Sequence, residues 1–195
     1  MFKPVIDELN LSGNYNVIIK SKEDEILNIS NVRGVYAGNI EQVKYEIATS
    51  DIVAVSVGII GMKTVFPLLA LGLTERYALN NELALDIIIA ENMRNADACF
   101  REELIPLLPA DYPFGKLVGL VETSIGKMVP IMLRKDMDED ILQVFAEPYN
   151  TLILAIKSIK NPIPDVPGLS PKENMKAWVD RKLLIHNLGH AATDI

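Results

Sequence analysis

Residues 83–92 read LALDIIIAEN, and residues 51–57 read DIVAVSV. Both are continuous apolar runs rich in Ile and Val, the second closed by Asp51 and Gly58. Runs of this kind are typical of strands buried on both faces, as in a parallel sheet. The segment between them, 62–80, reads as a helix. A second helix fits 94–108, and KLVGLVET (116–123) reads as a third strand. Strand, helix, strand, helix, strand predicts an α/β fold with right-handed crossovers.

Working outward, residues 2–10 read as the last turns of a helix. YNVIIK (15–20) and the stretch 26–37 are β-rich. NIEQVKYEIA has helical apolar spacing, with Asn39 at its N-cap. After residue 125 the pattern changes: KMVPIML (127–133) and ILQVFAEPY (141–149) predict two strands, an antiparallel pair. KDMDEDI (135–141) reads as a solvated acidic loop. NPIPDVPGLSP (161–171) is a proline-rich connection. SPKE (170–173) then predicts a helix start, with Ser170 as N-cap, Pro171 at the first helical position and Glu173 closing a capping box.

Composition bounds the function. The 195 residues are 49% hydrophobic and 23% charged, which is globular. A net charge of −7 argues against a nucleic-acid surface, which needs excess Lys and Arg. The single cysteine, Cys99, forms no internal disulfide, in keeping with a reducing compartment. The N-terminus has no apolar signal core, and the apolar runs fall short of the roughly 20 residues that span a bilayer. The expectation is a cytoplasmic protein with neither membrane nor nucleic acid as partner.

Chemistry concentrates in RKLLIHNLGH (181–190). On a helix, Lys182, His186, His190 and Asn187 fall within one arc of about 140°. The rest of the surface is mostly apolar, so the helix is expected to be buried. Desolvation would lower the lysine pKa and make it a usable base. On residue pattern alone, a solvated face is the commoner reading of such an arc. Zinc is disfavoured, because Asn187 stands where an HExxH motif needs Glu. Asn92 reads either as a helix cap or as part of a site. Trp178 reads as core, and Arg94 and Lys127 as surface cations within reach of a substrate phosphate.

MKAWVDRKLLIHNLGHA (175–191) resembles the signature of the polyol-specific long-chain dehydrogenases, the mannitol dehydrogenase family. The family pattern is Lys, four residues, Asn, two residues, His; Lys182, Asn187 and His190 match it. IIIAENM (87–93) resembles a strand-end motif whose asparagine is Asn92, and VSVG (55–58) resembles the strand end beside the cofactor. IPDVPGLSPKENMKAWV (163–179) resembles the lead into the catalytic helix. The resemblance implies metal-independent hydride transfer between NAD and a polyol or sugar phosphate. For the most similar members, the pair is mannitol 1-phosphate and fructose 6-phosphate. It implies Lys182 as general base, Asn187 and Asn92 as hydrogen-bond donors to the alkoxide, and His190 as an orienting group. Val57 and Gly58 would lie against the cofactor.

The chain departs from the family pattern at three places. It has no G-x-G-x-x-G, and GIIG (58–61) stands in the wrong place for one. It ends at HAATDI, where the family continues into a helical domain. Gly126 and Lys127 stand where many members have Asp-Arg. The expected architecture is therefore a Rossmann-like, mainly parallel sheet lacking its first strand and Gly-rich loop (1–125). Additional strands and a connection (126–168) and the first helix of a substrate domain (169–195) would follow. Exposed strand edges would favour a homo-oligomer. The competing expectation is a folded, non-catalytic, self-associating piece without cofactor affinity.

Overall fold

A computed structural model describes residues 3–127, 129–130 and 132–186. The chain runs α1 (Lys3–Ser12), β1 (Asn14–Ile19), β2 (Glu25–Ser30), α2 (Ile40–Thr49), β3 (Ile52–Val55), α3 (Gly58–Leu79) and β4 (Leu85–Ile89). It continues through α4 (Ala96–Leu104), α5 (Phe114–Leu117), β5 (Val118–Ile125), α6 (Arg134–Glu139), β6 (Val144–Ala146), β7 (Leu152–Ala155), β8 (Leu169–Lys172) and α7 (Met175–Arg181). A π-helical turn, Lys182–His186, follows α7 directly. These elements form two units, one of residues 1–39 and 126–150, the other of residues 40–125 and 151–195.

The larger unit carries a five-stranded sheet in the order β3-β4-β5-β7-β8. β3, β4 and β5 are parallel, with Ile52 opposite Asp86 and Leu85 opposite Val118. The predicted strand–helix alternation thus folds as an α/β unit. β4 is the strand that LALDIIIAEN predicts, with Leu85, Ile87 and Ile89 fully buried against α3 and α4. In α4, Ala96, Phe100 and Leu104 recur every four residues and face that core. The Phe100 ring meets Phe66 of α3 edge-on at 5.0 Å. By length and composition α3 could cross a membrane. Here its apolar residues Met62, Phe66, Leu69 and Leu73 enter the core against the sheet.

Buried Arg76 of α3 donates to four backbone carbonyls: Ala48 and Ser50 from one terminal nitrogen, Leu83 from Nε and Ala84 from the other. Buried Asp86, at the start of β4, accepts from the backbone N–H of Lys160 (2.8 Å) and Asn161 (3.0 Å) and from Asn161 Nδ2 (2.9 Å). Asp86 thereby pins the proline-rich connection to the amino end of the strands.

The smaller unit contains a three-stranded sheet, β2-β1-β6, in which β1 is antiparallel to β2 and parallel to β6. Every residue of β2 is exposed.

Several expectations need correction. β3 is not buried on both faces: it is an edge strand with Ile52 and Ala54 exposed, having no neighbour beyond β4 among the described residues. The KDMDEDI run is no loop, because most of it forms the exposed helix α6. Of the two strands predicted after residue 125, only the second forms, as β6, and its pairing is parallel. The described part of KMVPIML is not strand; Met128 and Ile131 lie outside the described residues. Ser170 and Pro171 do not start a helix but sit in β8, paired in parallel with β7. Proline lacks an N–H, and an edge strand tolerates that loss. α7 begins instead after Asn174, whose side chain accepts from Ala177 N–H at 3.3 Å. Nor is the last helix buried: Leu184 and Ile185 are exposed, and Met175 is the one buried residue of α7.

Candidate functional site

In a parallel sheet, ligands collect at the carboxyl ends of the strands, where helices begin. Here that edge is formed by Val55 of β3, Ile89 of β4 and the segment Thr123–Ile125 of β5. A small recess opens there, lined by Glu91, Asn92, Thr123, Ser124, Val179 and Lys182, with room for about one water. A larger cavity of about 350 Å³ lies at the other end of the strands, beside Asp51, Asp86 and Pro162. Its lining is mainly apolar, and the candidate catalytic side chains are not among the residues around it.

Lys182 and Asn92 are 90 residues apart in sequence, yet Lys182 Nζ donates to Asn92 Oδ1 at 2.6 Å. Lys182 is half-buried, and burial pushes its pKa below the ordinary 10.5. Asn92 projects from the turn after β4, and Lys182 from the turn after α7. Arg94 ties the same turn to α7 through an ion pair with Asp180 at 2.8 Å. This accounts for Arg94, one of the two cations considered for a phosphate. The other, Lys127, donates to the carbonyls of Glu147 and Tyr149 within the smaller unit. Trp178 packs on the small cluster of Ile153, Ala155 and Met175, with Lys172 and Arg181 over its ring.

Asn187 and His190 lie outside the described residues. Val57 and Gly58 are exposed at the carboxyl end of β3, where α3 begins. Gly58 has φ +71°, a left-handed conformation that favours glycine, and nothing stands within 4 Å of where a Cβ would project. This bare backbone suits the flank of a dinucleotide. It does not suit a phosphate cradle, because the N–H groups of Val57 (2.6 Å) and Gly58 (3.0 Å) already donate to Glu91 Oε1.

Glu91 was not expected in the site from sequence. Its only signal is its place, directly before Asn92 at the end of an apolar strand. Glu122, on β5 beside Thr123, was missed as well. It accepts from Ala96 N–H at 2.7 Å at the start of α4. Burial, then the nearby charge of Asp97, raises its pKa above the ordinary carboxylate value.

Solved structures share this fold, two polyol dehydrogenases among them. Mannitol 2-dehydrogenase from Pseudomonas fluorescens, in a ternary complex with NAD and D-mannitol, superposes with a TM-score of 0.78 at 15% identity. The match covers 93% of this chain and 46% of that one. A substrate-free D-sorbitol dehydrogenase gives a TM-score of 0.81 at 14% identity, over 96% of this chain and 48% of its own. The chain thus spans about half the length of the solved structures it matches. The family model of the mannitol dehydrogenase Rossmann domain matches residues 1–168, so the chain belongs to the mannitol dehydrogenase family.

Proposed function

We propose that the chain works in an NAD-dependent polyol dehydrogenase that interconverts mannitol 1-phosphate and fructose 6-phosphate. The observation that carries this reading is the 2.6 Å contact of Lys182 with Asn92 at the carboxyl edge of the parallel strands. A bound nicotinamide would supply the hydride acceptor, with Val57 and Gly58 flanking it. Lys182, its amine made less basic by burial, takes the alcohol proton as the C–H bond yields its hydride. Asn92 orients the amine through Oδ1 and offers Nδ2 to the developing alkoxide. Asn187 and His190 are assigned to the same site by the family motif, as a second donor and a substrate-orienting group.

The test is Lys182→Ala in the protein that also carries the dinucleotide cradle. NADH-dependent reduction of fructose 6-phosphate should fall by about 10²–10⁴-fold. Near-normal turnover would overturn the assignment. Comparison with unphosphorylated fructose decides whether the phosphate is recognised. Polyol oxidation by the unaltered protein should speed up as pH rises and Lys182 deprotonates, with a midpoint below 10.5.

A second reading, favoured by the engagement of the Val57 and Gly58 N–H groups with Glu91, is that this chain alone has no cofactor affinity. Titrating the chain with NADH while following its fluorescence tests this second reading. Saturable binding at micromolar NADH counts against the second reading; its absence supports the second reading and leaves the first to the Lys182→Ala test.

A further inference from the structure

The carboxylate of Glu91 sits where a helix N-terminus would bind an anion. One oxygen, Oε1, takes both the Val57 and the Gly58 N–H at the start of the 22-residue α3. Those donors lack intrahelical partners, and the helix dipole favours a negative charge beside them. The same side chain belongs to the turn that presents Asn92. That turn is held at its start by Ala90 N–H donating to Val55 O at 2.8 Å, and it closes through Met93 N–H to Glu91 O at 3.0 Å. Beyond Asn92, Arg94 ties it to Asp180 of α7, two residues before Lys182. Asn92 therefore lies between two tethers. Arg94 joins the turn to the element carrying the amine, and Glu91 joins it to α3 and the Val57–Gly58 backbone.

We propose that Glu91 is a positioning residue. By occupying the N-terminus of α3 with its own carboxylate, it holds the turn so that Asn92 meets Lys182 at a fixed place beside Val57 and Gly58. The inference deepens the dehydrogenase reading and rests on it for its functional meaning, while the geometry it asserts is independent of turnover. It needs the two hydrogen bonds rather than the negative charge as such. Gln at 91 retains an acceptor oxygen, whereas Ala leaves an open anion site that a small carboxylate can refill.

The experiment is nuclear magnetic resonance on the full chain, reading the Asn92 side-chain amide, the Lys182 side chain and the Val57 and Gly58 amides. In E91A all four should move from their wild-type positions. In E91Q the Asn92 and Lys182 signals should stay near theirs. Excess sodium formate should return the Val57 and Gly58 amides of E91A toward wild type but not the Asn92 and Lys182 signals, because a free anion caps the helix without tethering the turn. If E91A does not fold, E91D, one methylene short of bridging both N–H groups, serves the same purpose. Displacement of the Val57 and Gly58 amides while Asn92 and Lys182 stay put overturns the proposal and leaves the role of Lys182 intact. Full turnover by Lys182→Ala overturns that role and leaves this geometry intact.

Discussion

Asp86→Ala tests a long-range tether of the larger unit. The substitution removes a buried carboxylate and its three hydrogen bonds of 2.8, 3.0 and 2.9 Å. A hydrogen bond to a charged group contributes about 1.5–3 kcal/mol, and a stranded buried donor costs about 1–3 kcal/mol. Lys160 is exposed and Asn161 only half-buried, so water can rehydrate part of what is lost. Asn161 Nδ2 also keeps a second acceptor, Ala84 O, at 3.3 Å. Counting only the two backbone bonds, at the low end of about 1.5 kcal/mol each, gives a loss of about 3 kcal/mol. With a urea m-value of about 2 kcal/mol/M, the unfolding midpoint falls by roughly 1.5 M. Gly119→Ala attacks the same point from the other side. Its Cβ would stand 2.0 Å from Asp86 Oδ1 and 2.7 Å from Ser158 O, so the carboxylate must leave its donors. The two substitutions should therefore overlap in effect. The double variant should be at least about 1 kcal/mol more stable than the sum of the singles predicts. A loss under about 1 kcal/mol for Asp86→Ala, or strict additivity, would refute the reasoning.

Two further outcomes are expected. Arg76→Met keeps the bulk of the side chain but removes the hydrogen bonds to the carbonyls of Ala48, Ser50, Leu83 and Ala84, of which Ala84 O keeps Asn161 Nδ2 as a donor. It should cost about 2–4 kcal/mol, seen by calorimetry as a fall of roughly 5–10 °C in Tm. Glu122 has a raised folded-state pKa, so its contribution is fully present below its unfolded value and is lost as pH rises through the folded one. Glu122→Gln should remove that loss, leaving the variant relatively more stable above this window than below it. Urea titrations across mildly acidic pH check the sign, and an unchanged pH dependence contradicts it.

The parallel strands were legible because Ile and Val leave few alternatives to a buried strand, and LALDIIIAEN needs partners on both faces. DIVAVSV has the same composition, but its burial depends on a neighbour beyond β3, which local pattern cannot report. The SPKE segment failed for a related reason. Ser, Pro and Glu at that spacing fit a capping box, but β7 offered the segment a parallel partner, and the helix began after Asn174 instead. Tertiary pairing outweighed a local signal worth about 1 kcal/mol. Lys182 and Asn92 were nominated by motif resemblance, and the structure brings them together. Glu91, Arg76 and Asp86 went unread because each acts mainly on backbone groups of other segments, and backbone groups leave no mark in the sequence.

The tether from Asp86 reaches Lys160 and Asn161, 74 and 75 residues on, and Lys182 reaches back 90 residues to Asn92. Such contacts form only after long loops close, and the entropy of that closure slows folding. During synthesis the β3–β4–β5 core can assemble while the segment carrying Lys182 is still being made. The amine then arrives after Asn92, docking onto a preformed core. Mutations that weaken the Asp86 tether should therefore reveal themselves first as slow maturation of the Lys182 contact, before any loss of the sheet itself.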